Sequence, residues 1–470
     1  MSTHRSIIDE SVLRTLRARV AGDVLTPDED GYDEACTLWN AAVDRAPGVF
    51  VRAHTADDVA TAIAAAREHD LPLGVRGGGH HVTGSALVDD GIVVDCTELT
   101  DVTIDPDAKT ARVEPGARVS DVLAPAQEHG LAPVAGSAAQ TGIAGSTLAG
   151  GIGWLRREHG LGVDALRSVD LVTADGDRIT ASATEHSDLF WGIRGAGSNF
   201  GVVTSFELEL AAVGPEVAIA QPIYALEDAA SVLAAYREWA ADAPRAVTTL
   251  VALMHVPPLP VVPEEAVGAP VVMLFGVYAG DVEDGEAALA PLREFGDPIM
   301  DMSGPQPLAG VHEIARDLFP DGRRYSWHSI YATDLADDAI ETLVDALANA
   351  PTEQCELGVW HLGGAIADVD DDATAFGFRD PEFMLAVDAA WEDPDDDATA
   401  IEWARDTWTE LRAQAATVDG FYPGFPGFVD DHDERARMAY GDNLDRLRDL
   451  KAEYDPENVF ASNLNVEPAN

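Results

Sequence analysis

Residues 77–201 of this chain carry three glycine-rich zones. The first is Arg76-Gly77-Gly78-Gly79-His80-His81, with Gly84 close behind. The second, residues 136–153, reads GSAAQTGIAGSTLAGGIG, and the third, residues 189–201, reads LFWGIRGAGSNFG. Glycine inside a helix or strand costs about 0.5–1 kcal/mol, so such runs read as loops where another group approaches the backbone or φ turns positive. Successive amides in such a loop form a concave nest for anions such as phosphate. Any one zone can equally be a set of tight turns. Three together, one closing on a histidine pair, point to a large phosphate-bearing ligand. A dinucleotide fingerprint needs G-x-G-x-x-G between a strand and a helix. Here Gly77-Gly78-Gly79 runs into His-His-Val-Thr-Gly, and Gly195-x-Gly197 runs into a strand. No G-x-x-x-x-G-K-[ST] is present, so a P-loop is excluded.

The sequence around these zones reads as α+β. Thr55 with Asp58 opens a capping-box-like helix ending near His69. Residues 71–75 form a short apolar run, and strands are predicted at 92–94, 102–104, 111–113 and 169–173. Residues 119–129 look helical, and a strand, VVTSFELEL, follows the third zone. From about residue 213 glycine thins out. Apolar runs at 217–225, 248–256, 270–278, 356–366 and 383–391 alternate with acidic, Ala-rich helical stretches near 227–243, 337–349 and 398–415. That pattern predicts an antiparallel sheet covered by helices. The expected units are 1–212 (core about 45–212), 213–420, and a C-terminal segment 421–470 with a helix over 443–453.

Charge narrows the partners. Asp and Glu number 83 against 30 Lys and Arg, a formal −53, and Lys occurs only at positions 109 and 451. So anionic a surface repels nucleic acid and acidic lipid. The acids run along the whole chain, which fits a surface adapted to high salt; an unusually acidic mesophilic protein is the alternative. The three cysteines, Cys36, Cys96 and Cys355, are widely spaced, so no disulfide framework or zinc pattern follows. Neither a signal-peptide h-region nor a long apolar span is seen, so the expectation is a cytoplasmic, non-membrane protein.

Four blocks now resemble one family. Val75-Arg76-Gly77-Gly78-Gly79-His80 with Gly84 resembles the pyrophosphate loop of the vanillyl-alcohol-oxidase/PCMH flavoproteins. Thr141-Gly142-Ile143-Ala144-Gly145-Ser146, on to Gly150-Gly151-Ile152-Gly153, resembles the second FAD loop of its berberine-bridge-enzyme-like branch. Asp188-Leu189-Phe190-Trp191 with residues 194–204 resembles the third block, and Tyr440-Gly441, Leu450-Lys451, residues 454–460 and Asn463 the C-terminal one. The blocks stand in family order between residues 45 and 468. The resemblance implies a PCMH-type FAD lobe from both chain ends and a substrate lobe from the middle. The cofactor residues it implies are Arg76, Gly77, Gly78, Gly79, His80, His81, Gly84, Thr141, Gly142, Gly145, Ser146, Gly151, Val203 and Asn463. It further implies that His80 carries FAD covalently through the 8α-methyl group, with His81 a flanking residue. Members with a second, cysteine linkage have it where this chain has Ala138, so a single linkage is expected. Read without the family, His80 and His81 suggest a metal pair, but no third ligand is spaced nearby and no metal site is predicted.

The implied reaction is hydride transfer from a small alcohol, sugar or amine to flavin N5, with O2 as the expected electron acceptor and hydrogen peroxide as product. The protein supplies position and a base. Three candidates arise for the catalytic role: Tyr422, Asp388 and His361. Tyr422 sits in Phe421-Tyr422-Pro423-Gly424-Phe425, where relatives place a second tyrosine or Phe after an Asn, so a phenolate mechanism is in doubt here. Asp388 lies in the apolar run 383–391, on the face of Ala386, where a lone acid is costly unless paired or functional. His361 precedes Gly363-Gly364, in a segment resembling one that faces the flavin. Tyr325, Trp327 and His328 form another polar-aromatic run that would line a pocket. Two further readings stay open: a non-catalytic ligand-binding protein on an FAD-type scaffold, and a dehydrogenase using another acceptor. Thr141, at the position tied to oxygen access in relatives, does not choose between them.

Overall fold

The computed structural model describes residues 8–258 and 264–469. Three sheets organise them, and the chain is α+β. The first has four strands in the order Val24–Leu25, Val49–Arg52, Ile92–Asp95, Leu73–Arg76. Its last three strands are parallel, and helix Ala56–Glu68 makes the crossover. The Thr55–Asp58 capping box starts that helix: Thr55 accepts from the Asp58 amide, and Asp58 accepts from the amides of His54 and Thr55. The strand Leu73–Arg76 empties directly into the first glycine zone.

The second sheet is antiparallel and runs Val102–Asp105, Thr110–Val113, Val202–Ala211, Leu166–Val172, Arg178–Ser182, with Ala132–Pro133 added on Val202–Ala211. The third, ten-stranded sheet starts at Glu216–Ala220 and ends at Thr417–Val418. The apolar runs at 248–256, 270–278 and 383–391 are its strands Val247–His255, Pro270–Tyr278 and Phe383–Trp391. Helices Ala229–Ala240, Asp337–Ala348 and Asp397–Arg412 cover one face, burying Leu233, Leu343 and Trp408 against Val251, Val359 and Leu385. The other face looks toward the glycine zones.

The chain then returns to the first two sheets. Helix Leu444–Tyr454 brings Lys451 to a site with no solvent access, where its ammonium meets Asp455 at 2.7 Å and donates to the carbonyls of Asn199 and Phe460. Asn199 in turn donates to the Leu464 carbonyl and accepts from the Val466 amide, so the third glycine zone and the C-terminus share one polar network.

Two glycine zones hold more regular structure than their composition suggests. The third opens with helix Ser187–Ala196, which bends where Arg194 and Gly195 leave helical geometry (Gly195 φ is 131°). Leu189, Phe190 and Ile193 are buried there, and this apolar face outweighs the glycine penalty. The second contains the short helix Ile143–Leu148.

Candidate active site

The first two glycine zones touch backbone to backbone. A Cβ on Gly78 would lie 2.5 Å from the Gly142 Cα, and one on Gly142 would lie 2.6 Å from the Gly78 nitrogen. Only glycine at both positions lets the loops meet. A cavity of about 320 Å³ opens between these loops, the C-terminal segment and the free face of the ten-stranded sheet. Gly77, Gly78, Gly79, Thr141, Gly142, Gly145, Ser146, Val203 and Asn463 line it. Nothing lies within 4 Å of a Cβ built on Gly145, so its backbone is open to a ligand. The Gln140 side-chain amide also lines the cavity, and both its nitrogen and its oxygen are buried without a partner. Sequence analysis missed Gln140, which looks like an ordinary loop residue.

His80 and His81 have different fates. His81 Nε2 donates to the Pro423 carbonyl at 3.0 Å, and its Nδ1 accepts from Thr83, so both nitrogens are used. The Nε2 of His80 is buried and has no partner. Burial lowers the His80 pKa to about 4, which keeps the ring neutral. Trp39 stacks on that ring at 4.3 Å and on Tyr325 at 4.0 Å with its other face. Trp39 precedes the predicted core, and no local motif marks it.

Several residues expected at the site stand away from this cavity. The Arg76 guanidinium turns away from the cavity and donates to the carbonyls of Ala35 and Thr37, tying down the N-terminal segment. Gly84 (φ 64°) makes a turn packed on Val43, and Gly151 (φ 79°) packs on Gly162; neither lines the cavity. His361 also lies outside it. Side chains alternate along a strand, so in Glu356–His361 the residues Glu356 and Trp360 face the cavity while His361 faces the helices. There His361 stacks on Phe383, and burial plus Arg157 and Arg156 lower its pKa to about 2. Both arginines are buried and donate to backbone carbonyls of the sheet, including those of His361 and Leu362. Of the run at 325–328, Trp327 lines the cavity; Tyr325 is taken up by Trp39, and His328 points away to the Pro426 carbonyl.

Asp388 does face the cavity, and register gives it a neighbour. Strands Glu356–His361 and Phe383–Trp391 are antiparallel with Glu356 directly opposite Asp388; on the other side Asp388 is opposite Trp327. Both carboxyls are buried, at 6% and 5% exposure. Burial first, and the neighbouring Glu356 second, raise the Asp388 pKa well above the usual carboxylate range. Burial pushes Glu356 up to about 7. Tyr422 completes the wall. Burial raises its pKa, the Gly151 and Ile152 amides opposing that shift, so it stays a phenol. Glu356 was hidden in the sequence because pairing register between strands is a tertiary fact.

Comparison with known proteins places this geometry. Residues 47–182 match the model for an FAD binding domain, and residues 418–467 match the model described as berberine and berberine like. The FAD-linked oxidoreductase YgaK of Bacillus subtilis is 30% identical over 96% of this chain and 98% of its own. The chain belongs to the berberine-bridge-enzyme-like FAD-linked oxidoreductases. It is also similar to a xylooligosaccharide oxidase of Thermothelomyces thermophilus, 28% identical over 92% of this chain and 89% of that one. The crystal structure of 6-hydroxy-D-nicotine oxidase from Arthrobacter nicotinovorans superposes with a TM-score of 0.82 at 27% identity, covering 96% of this chain and 98% of that one. The site fits the FAD that this family uses: glycine backbone open at Gly145, orphaned polar atoms on Gln140 and His80, and hydroxyls at Thr141 and Ser146. Among the described residues no group of His, Cys, Asp and Glu is arranged to hold a metal, and no helix is long and apolar enough to cross a membrane.

Proposed function

We propose that this oxidoreductase removes a hydride from a small organic substrate, with the buried Glu356–Asp388 pair as proton acceptor, its Glu356 member titrating near 7, and His80 as the covalent anchor of the flavin. Bound FAD supplies the two-electron acceptor, and O2 is the expected final oxidant. The observation that carries the reading is the placement of two features on one cavity. On the glycine-loop side stands a desolvated, neutral imidazole with an unpartnered Nε2; on the sheet side stands a buried carboxyl whose Oδ1 has no partner. A neutral imidazole nitrogen is a nucleophile, and an imidazolium is not. The buried Tyr422 hydroxyl keeps its own proton to donate toward the substrate. Nothing favours the non-catalytic reading.

The test uses purified holoprotein. The yellow colour should stay with the acid-precipitated protein, and His80→Ala should release it to the supernatant. A colourless wild-type pellet overturns the covalent anchor. Anaerobic bleaching of the flavin by members of an alcohol, sugar and amine panel, with peroxide formed on admitting air, tests the reaction and the acceptor.

A further inference from the structure

His80 and His81 are neighbours held in opposite ways. His81 is fixed by hydrogen bonds on both ring nitrogens, to Thr83 and to the Pro423 carbonyl. His80 Nε2 is buried without a partner, and the backbone bond acting on its ring is internal to His80. The χ2 torsion of a histidine is broad, so a ring without outside hydrogen bonds turns unless something flat holds it. Trp39 holds this one. Its ring lies 4.3 Å from the imidazole at an interplanar angle of 17°.

Trp39 is itself locked from the far side. Tyr325 stacks on its other face at 4.0 Å and 4°, so imidazole, indole and phenol form one continuous pile. The Trp39 indole N–H donates to the Phe319 carbonyl at 3.0 Å, and Trp327 meets the indole edge-on at 4.8 Å. The flanking backbone is cross-tied. Asn40 Nδ2 donates to the carbonyls of Val82 and Tyr325, the Tyr325 amide donates back to Asn40 Oδ1, and the Gly322 amide donates to the Trp39 carbonyl. The Tyr325 hydroxyl is spent on the Pro320 carbonyl at 2.7 Å. Trp39, Asn40 and Tyr325 are all buried, yet neither ring of the Trp39–Tyr325 stack lines the cavity. The pile ends on the one ring that does, His80.

We propose that Trp39, backed by Tyr325, is the positioning residue that sets the plane of the His80 imidazole and thereby the rate at which the flavin is attached. This rests on the covalent anchor read above. The nitrogen lone pair lies in the ring plane, so attachment needs the edge of the ring, not its face, toward the 8α carbon. The Nε2 pair forms the new C–N bond, and the proton on the other ring nitrogen leaves. One 8α C–H bond breaks; its proton leaves and its electron pair reduces the flavin by two electrons. O2 takes that pair and both protons as hydrogen peroxide. Such geometry has to be held within about 10–20°, by groups whose own rotamers are locked. The brace comes from strand Arg324–Ala332 of the ten-stranded sheet, so the glycine-loop anchor is aligned only where sheet and loop have docked.

Holoprotein isolated at matched short times after induction, desalted and acid-precipitated, reads the proposal as flavin in the pellet against flavin in the supernatant. Trp39→Leu should carry the wild-type total of flavin with attachment about fivefold slower, so colour moves from pellet to supernatant. Tyr325→Ala should shift it the same way by less, and Tyr325→Phe, which keeps the stack, should match wild type. An unchanged pellet share in Trp39→Leu overturns the proposal and leaves the anchor standing. So does a fall in total flavin with an unchanged pellet share of what remains, the mark of a merely structural residue. Where Trp39→Leu does not fold, Tyr325→Ala against Tyr325→Phe decides by the same readout. A lower share in the alanine variant supports the brace, and equal shares overturn it. A colourless wild-type pellet at every time overturns the anchor reading and this inference with it.

Discussion

Gly78, Gly142 and Glu356 are single residues whose identities the structure forces in opposite ways. At the two glycines any side chain strikes backbone rather than a movable side chain. Gly78→Ala is expected to cost about 1–3 kcal/mol and to loosen the flavin, measured as a lower melting temperature together with a lower flavin-to-protein ratio. Glu356 is a cost to the fold. Its pKa rises from 4.5 to about 7 on burial. Below pH 4.5 it is protonated in both states and costs nothing through ionisation. Between pH 4.5 and 7 the unfolded chain ionises while the folded one does not, so stability is lost as pH rises through that window. Glu356→Gln removes the loss. Its melting temperature should exceed that of wild type by a margin that grows from about pH 5 to about pH 8 and then levels off. A constant margin would mean that burial does not perturb Glu356.

The C-terminal helix Leu444–Tyr454 shows how a distant segment is held on the cofactor lobe. Lys451 is one of only two lysines in the chain, and here it is wholly buried with all three of its protons donated. Desolvation lowers its pKa, and Asp455 opposes that shift by holding the charge. Lys451→Met leaves Asp455 buried and unpaired, which typically costs about 3–5 kcal/mol. Urea titration should show that loss, and the double variant Lys451→Met/Asp455→Leu should recover part of it. Equal loss in the single and double variants would show that the pair is not coupled.

Across the full chain, the formal charge of −53 separates from the chemistry. Among the described residues the buried acids are Asp58, Asp95, Glu356, Asp388 and Asp455, and only Glu356 and Asp388 of these line the cavity. Other acidic groups stand at the surface, in places such as helix Val282–Leu289 and the turn before helix Asp397–Arg412. Self-repulsion on that scale is screened within about 10 Å at 0.1 M salt and about 3 Å at 1 M. The melting temperature and flavin retention are therefore expected to rise from low to molar KCl. Equal melting at both salts would overturn adaptation to salt and leave the flavin chemistry untouched.

The loops, and the lobe they belong to, are legible in the order of residues alone. Glycine's freedom at φ and its missing Cβ are local properties, so Gly77–Gly79, Gly142 and Gly145 announce close approach wherever they stand. The apolar runs at 270–278 and 383–391 announce strands in the same local way, and period-two alternation set Asp388 on the face opposite Val387. Which faces meet was left to the packing of distant segments. Packing turned His361 toward the helices, spent Arg76 on the N-terminal segment, brought Trp39 onto His80, and set Glu356 beside Asp388. None of these follows from spacing, because register and side-chain partners between distant segments are fixed only when the sheets pair and the two chain ends close over one cavity.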